Sequence, residues 1–154
     1  MLATLKVQGF RNFQEEFVFD FRTEKSYEFN THAVKDGKVR HALVYGINGF
    51  GKSNLGLAIL DLKCHLTDHA ITSLLKVNYL NTSLNGEDAI AEFEYEFEFG
   101  KNIVRYRYGK KNCSETVYEN LEINGIVAVT IDRRVSEFAS YNLAGAEGLK
   151  TDFT

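Results

Sequence analysis

Apolar and polar residues alternate along several stretches of the chain, and this period of two predicts β-strands. Near the N-terminus the alternation covers residues 2–8 and then residues 17–21, and a short turn around Arg11 and Asn12 separates them. The two stretches are expected to pair as an antiparallel hairpin. Residues 22–40 are polar and charged, which is typical of a surface excursion.

A second group of alternating stretches occupies the later half of the chain. Residues 91–99 alternate apolar side chains with glutamates, and residues 104–108 alternate apolar side chains with arginines. If these stretches form a hairpin, the arginines face the glutamates across the two strands. Asn124-Gly125 is a strong signal for a two-residue hairpin turn, so residues 87–132 are predicted to form an antiparallel β-meander. The remaining predicted strands are residues 116–123 and 126–132.

A glycine-rich loop lies between these two β-rich parts. Residues 46–53 read Gly-Ile-Asn-Gly-Phe-Gly-Lys-Ser and fit G-x-x-x-x-G-K-[ST], the phosphate-binding P-loop. The apolar residues 42–45 before it predict a buried strand, and residues 54–66 after it predict a helix. Such a loop turns successive backbone N–H groups inward, and the helix N-terminus adds the positive end of its dipole. Lys52 would reach the β- and γ-phosphates, and the Ser53 hydroxyl would ligate Mg²⁺.

The predicted helix has a wide apolar stripe that includes Ile59, Leu62 and Leu66, as expected for a helix that packs against a sheet and is covered on another side as well. Gly56 interrupts the helical pattern, and we interpret it as a position of close packing. A second helix is predicted over residues 69–82.

Composition narrows the class of protein. The chain has 154 residues, of which 44% are hydrophobic, enough for a sizeable core in one domain. The formal net charge of -3 gives no indication of a protein that binds nucleic acid through bulk charge. No stretch is apolar enough to span a membrane, and the N-terminus does not resemble a signal peptide. Because Cys64 and Cys113 are too few for a disulfide framework, we expect a reduced, cytoplasmic protein.

Three further sets of polar residues allow more than one interpretation. Asp132 ends a predicted strand and could hold Mg²⁺, or it could be a simple charge at the strand end, since Arg133 follows where a catalytic glutamate would be expected. His65 and His69 stand four residues apart and could bind zinc, or a histidine there could complement the helix dipole. The alternating glutamates of residues 91–99 could include a catalytic pair, but we interpret them as a solvated sheet face.

The residues around the loop resemble the ABC-type ATPase heads of the SMC and OLD-like group, which are AAA-type P-loop proteins. Residues 5–13 end in Phe-Arg-Asn-Phe and are similar to the start of those heads. Asn48 and Asn54 match the group's Gly-x-Asn-Gly-x-Gly-Lys-Ser-Asn pattern. The resemblance covers most of residues 1–132 and is strongest over residues 5–59.

This resemblance implies a mixed α/β (α+β) fold with an N-terminal β-hairpin, a P-loop strand-helix unit and an antiparallel β-meander. The whole chain, residues 1–154, is expected to be the N-terminal lobe of such a head. Its hairpin and P-loop unit would occupy residues 1–66, its β-subdomain residues 87–132 and an irregular tail residues 133–154. A Walker B Asp-Glu pair, a signature motif, a Q-loop glutamine and a switch histidine are not recognisable, so no catalytic residue is assigned.

The leading hypothesis is therefore a lobe that binds ATP with Mg²⁺ and needs a C-terminal lobe and a partner head to hydrolyse it. The resemblance also implies that two heads form a homodimer with ATP sandwiched between them. The expected role is in DNA transactions or in anti-phage defence, with DNA or an effector nuclease as a possible partner and no membrane. A non-catalytic nucleotide-binding interaction module is the alternative. A GTPase is disfavoured because the guanine motif Asn-Lys-x-Asp is absent, and a small-molecule kinase because Arg133-Arg134 is too little for an arginine-rich lid. The long antiparallel meander after the first helix argues against both. The residues expected to bind the nucleotide are Gly46, Asn48, Gly49, Phe50, Gly51, Lys52, Ser53 and Asn54, and Ser53 is also the expected metal ligand. The resemblance implies that Arg11 and Asn12 bind the nucleotide as well, and the alternative for these two is a turn with a surface ion pair.

Overall fold

The computed structural model describes residues 1–25, 28–67 and 71–144. In these residues a seven-stranded antiparallel sheet carries one long helix on one face, so the fold is mixed α/β and compatible with the α+β class. A short 3₁₀ turn covers Thr31–Ala33. The strands and helices in chain order are β1 Leu2–Gln8, β2 Phe17–Asp20, β3 Val34–Lys35, β4 Lys38–Val39, α1 Lys52–Leu66, α2 Ser73–Lys76, β5 Ala91–Phe99, β6 Asn102–Lys110, β7 Thr116–Ile123, β8 Ile126–Asp132 and β9 Ser140–Tyr141.

The N-terminal hairpin and the meander belong to one sheet with the strand order β2-β1-β5-β6-β7-β8-β9. The hairpin and the four meander strands confirm the sequence predictions. The pairing of β1 with β5, which places Leu5 opposite Tyr95, had no sequence signal. An alternating pattern shows which face of a strand is apolar but does not specify a distant partner.

The outer face of the sheet carries the charged side chains. Glu94 lies opposite Arg107 and Glu96 lies opposite Arg105, as the alternation predicted. The Arg107 Nε lies 2.6 Å from Glu94, and Lys6 on β1 approaches the same carboxylate at 3.2 Å. Cross-strand pairs of opposite charge stabilise a sheet locally, so these glutamates form a structural lattice.

The inner face of the sheet packs against α1. Leu55, Ala58 and Leu62 are buried there, whereas Ile59 is exposed. On the neighbouring side of the helix, Leu57 and Leu60 are partly buried against the same core, so the second cover that the apolar stripe predicted is present in part. Gly56 is also exposed, and a Cβ added to it would meet no atom within 4 Å, so its interpretation as a close-packing position is wrong. The largest fully buried apolar and aromatic side chains are Tyr95, Tyr108, Phe10, Phe93, Leu5, Leu75 and Val7.

Residues 42–45 do not form the buried strand that their apolar side chains predicted. They have no regular secondary structure, and the Leu43 and Tyr45 side chains are each 87% exposed. A strand requires a neighbour for its backbone N–H and C=O groups, and the described strands leave this segment unpaired. The strand of the predicted strand-helix unit is thus absent from the structure, while its helix is present.

The second predicted helix is much shorter in the structure than the sequence suggested. Only Ser73–Lys76 are helical, and residues 68–70 lie outside the described part of the chain. Asn78 has a φ of 50°, in the left-handed region, which is incompatible with continuing the helix. The backbone of Tyr79 and Asn81 bonds instead to the turn that follows β1. Tertiary pairing therefore overrides the helical pattern.

The region after Arg133 contains one short strand, β9, which pairs with β8. This strand lies within the predicted irregular tail of residues 133–154, and residues 145–154 are outside the described part of the chain. In the polar excursion, β3 and β4 form a small hairpin whose turn is Asp36-Gly37.

Candidate functional site

The glycine-rich loop forms a turn that leads directly into α1. Gly49 and Gly51 have φ angles of 90° and 87°, values that a residue with a Cβ rarely adopts. Gly51 immediately precedes Lys52, the first residue of the helix, and its carbonyl accepts the first helical bond from the Leu55 N–H at 2.9 Å. The early N–H groups of α1 therefore lack intrahelical partners and carry the positive end of the helix dipole.

The Lys52 side chain folds back over the loop. Its Nζ donates to the carbonyl oxygens of Gly46 and Ile47 at 2.7 and 2.9 Å. The ammonium group thus spans the first and last parts of the loop. Around it, Asn48, Phe50 and Ser53 are exposed at the surface. An anion held by the loop would find a positive charge on Lys52 and backbone N–H donors at the N-terminus of α1.

The turn after β1 packs against the end of the loop. The Asn54 Nδ2 donates to Asn12 Oδ1 at 2.6 Å. The Asn12 amide also occupies the space in which a Cβ on Gly51 would lie, so a side chain at that position would overlap it. The structure therefore joins two sequence motifs that are about 40 residues apart, the Phe-Arg-Asn-Phe turn and the P-loop pattern.

Arg11 lies in that same turn but points elsewhere. Its guanidinium donates to the carbonyl oxygens of Leu74 and Val77, the latter at 3.0 Å, and lies 5.5 Å from the centre of the Phe10 ring. These bonds satisfy carbonyl groups at the end of α2. In this conformation the guanidinium is bonded to backbone oxygens, and its predicted contact with a nucleotide stays a prediction.

A row of polar contacts connects α1 to the sheet, and we call it the polar seam. Its members on the helix recur at helical spacing, so they share the face that also buries Leu55 and Leu62. The seam begins with the Asn54–Asn12 contact, and next to it the Tyr95 hydroxyl donates to the Ala58 carbonyl at 2.8 Å. Further along the helix, Asp61 contacts Tyr108 and Lys110, and His65 contacts Tyr106 and Glu119.

Asp61 and Lys110 form the centre of the polar seam, and the sequence analysis missed them. Asp61 is only 1% exposed and Lys110 only 2% exposed, and the Lys110 Nζ lies 3.2 Å from the Asp61 Oδ2. The Tyr108 hydroxyl donates to the same carboxylate oxygen at 2.9 Å. Burial raises the pKa of the Tyr108 hydroxyl well above its ordinary value, so it remains a donor. The only sequence signal was an aspartate on the apolar face of a helix, a position that normally requires a partner.

The far end of the polar seam contains a second carboxylate with several donors. The Tyr106 hydroxyl and the Arg133 guanidinium donate to Glu119 at 2.8 and 3.2 Å. The contact with His65, together with these two donors, lowers the pKa of the Glu119 carboxyl to about 2 despite its partial burial. His65 therefore has partners in the sheet, whereas His69, its proposed partner for zinc, lies outside the described residues.

Glu119 should make the stability of the protein sensitive to acid. Since its pKa is lower in the folded chain than in the unfolded chain, its stabilising contribution is complete above about pH 4.5 and is lost as the pH falls toward 2. We expect Glu119→Gln to lower the free energy of unfolding at pH 7 by about 1–2 kcal/mol, a value reduced for solvent screening. In urea unfolding between pH 7 and 2.5, the difference from the wild type should shrink below pH 4.5. The exposed Glu15→Gln is the control, and a difference that does not change with pH would contradict the role of the ionised carboxylate.

Asp132 lies at the end of β8, between β7 and β9. Its carboxylate accepts hydrogen bonds from Arg134 Nε at 2.9 Å and from the Arg134 backbone N–H at 3.0 Å. This geometry corresponds to the charge at a strand end that was the alternative interpretation. Among the described residues, no cluster of three or more His, Cys, Asp or Glu side chains is arranged to hold a metal ion.

No protein-family model, curated protein or solved structure matches the chain. Among the helices that the structure describes, none has the length and apolar character needed to cross a membrane.

Proposed function

We propose that the chain binds ATP with Mg²⁺ through the loop of residues 46–53. The observation that carries this proposal is the geometry around Lys52, whose ammonium lies over a loop with two left-handed glycines at the N-terminus of a 15-residue helix. Such an arrangement favours a polyphosphate, because it combines a positive charge with N–H donors and the helix dipole. Lys52 would contact the β- and γ-phosphates, and the Ser53 hydroxyl would be the protein's ligand to Mg²⁺.

We further propose that this lobe belongs to an ABC-type ATPase head of the SMC and OLD-like group. The support is the match of the Phe-Arg-Asn-Phe turn and of Asn48 and Asn54 to that group, together with the Asn12–Asn54 contact at the loop. On this proposal a second lobe and a partner head complete the site for ATP hydrolysis. Work on DNA and a role in anti-phage defence follow from the resemblance alone, whereas a cytoplasmic location is proposed because two cysteines are too few for a disulfide framework.

The test is titration of the chain with Mg-ATP by isothermal calorimetry, compared with Lys52→Ala. Loss of one charge-assisted contact should weaken binding about tenfold to a hundredfold. Lys63→Ala removes an exposed lysine from the last turn of the same helix and is the matched control. The P-loop proposal is wrong if the wild type shows no affinity or if Lys52→Ala binds equally well.

A second measurement distinguishes an ATPase lobe from a non-catalytic nucleotide-binding module. Dimerisation and phosphate release are followed together after ATP is added. Dimerisation with phosphate release supports the ATPase proposal. Dimerisation of this chain without phosphate release favours a non-catalytic interaction module for the chain by itself.

A further inference from the structure

The residues that flank the β3–β4 hairpin form a broad, open cavity at the surface just before the loop. The cavity has a volume of about 590 Å³ and is lined by Asn30, His32, Arg40, His41 and Leu43, among others. The imidazole rings of His32 and His41 lie 6.5 Å apart, centre to centre, at an angle of 60°. Aromatic edges, an amide and a guanidinium therefore converge on one space.

Arg40 differs from every other arginine in the chain. The other six donate to a carboxylate or a backbone carbonyl of the described residues. The Arg40 side chain has no such partner there, and only its backbone N–H is bonded, to the Ala33 carbonyl at 2.7 Å. No carboxylate lies among the described residues that line the cavity, so the Arg40 guanidinium there is suited to bind an anionic or π-electron-rich ligand.

The cavity is also close to the loop along the chain. Leu43 lines the cavity and Gly46 begins the P-loop pattern, so the two are at most about 11 Å apart, even for an extended backbone. A nucleotide whose phosphates lie at Lys52 therefore has its base and ribose within reach of the cavity. Imidazole rings and a guanidinium stack on bases, and an asparagine amide can bond to the edge of adenine.

We propose that this cavity binds the base and ribose of the nucleotide whose phosphates are held by the loop. The inference rests on the proposed function and adds a residue set to it. Because the two imidazole rings are tilted by 60°, one of them stacks on the base and the other contacts the edge of the base, while Asn30 bonds to that edge and Arg40 contacts the ribose. Binding at the loop should then depend on more than phosphate, and the base should contribute to affinity.

The experiment compares Mg-ATP with inorganic tripolyphosphate, which has the phosphates but no base, for the wild type and for the double variant Arg40→Ala/His41→Ala. Stacking contributes about tenfold in affinity per base. We expect the wild type to bind ATP about tenfold more tightly than tripolyphosphate, and the double variant to lose that difference while its tripolyphosphate affinity is unchanged. Lys35→Ala, an exposed cation of the same hairpin that does not line the cavity, is the matched control.

Each other result has a defined meaning. If the wild type binds ATP and tripolyphosphate equally, or if the double variant loses both equally, the base-binding inference is wrong and the P-loop proposal stands. If the wild type binds neither compound, both proposals are wrong. Binding of a single-stranded oligonucleotide that is lost in the double variant, with ATP binding unchanged, would assign the cavity to a nucleic-acid base and overturn the inference.

Discussion

Replacement of Asp61 by alanine is expected to lower the free energy of unfolding by about 3–5 kcal/mol. The substitution leaves the Lys110 ammonium buried without a counter-charge and removes the acceptor of the Tyr108 hydroxyl. Both groups lie between α1 and the sheet, where water has little access, so neither can regain its hydrogen bonds in solvent without moving the helix.

Urea unfolding of three variants distinguishes the contribution of the ion pair to stability from the contribution of side-chain packing. Asp61→Ala and Lys110→Ala should each be strongly destabilised. The double variant Asp61→Leu/Lys110→Met replaces the pair with apolar side chains and should recover most of the loss, because removal of both charges also removes their desolvation cost. A loss below about 1 kcal/mol in Asp61→Ala would contradict a buried ion pair at this position.

Replacement of Gly51 by alanine is expected to cost about 2–4 kcal/mol. Part of this cost is the left-handed backbone, with a φ of 87°, which is unfavourable for any residue with a Cβ. The remainder is the overlap of the new methyl group with the Asn12 amide, which is held in place by Asn54.

Gly49→Ala is a matched control, because Gly49 has nearly the same φ, 90°, but no atom within 4 Å of an added Cβ. It should lose only the backbone part, about 1–2 kcal/mol. Thermal and urea unfolding of both variants measure the difference. The additional loss in Gly51→Ala should disappear in the background of Asn12→Ala, and equal losses in Gly49→Ala and Gly51→Ala would show that the turn does not pack against the loop.

Local patterns were sufficient for the strands of the N-terminal hairpin and of the meander, and for the position of the loop. The strict alternation in residues 91–99 determines β5, and the two-residue signal Asn124-Gly125 determines the turn between β7 and β8, because both depend on neighbours in sequence. The P-loop pattern predicted the start of α1 to within two residues. The charge lattice between β5 and β6 was also predictable, since a short hairpin sets its own register.

Predictions that required a distant partner were less successful. Residues 42–45 have the composition of a buried strand, but composition cannot supply the neighbouring strand that would cover Leu43 and Tyr45. The predicted second helix ends at Lys76, because the segment beyond it bonds to the turn after β1. In both segments the outcome depends on a partner outside the segment, which is absent for residues 42–45 and is the turn after β1 for residues 79–81.

The candidate site illustrates the same division. The sequence by itself determined the loop that is proposed to hold a phosphate, because Gly49, Gly51 and Lys52 would act through local backbone geometry and charge. Only the tertiary structure decided that Asn12 packs on Gly51, that Arg40 faces a cavity without a counter-charge, and that Asp61 is buried with Lys110. The contacts of Gly51 and Asp61 depend on segments brought together by β1–β5 pairing and by the docking of α1, and the Arg40 cavity depends on the fold around the β3–β4 hairpin. No periodicity in the sequence encodes these arrangements.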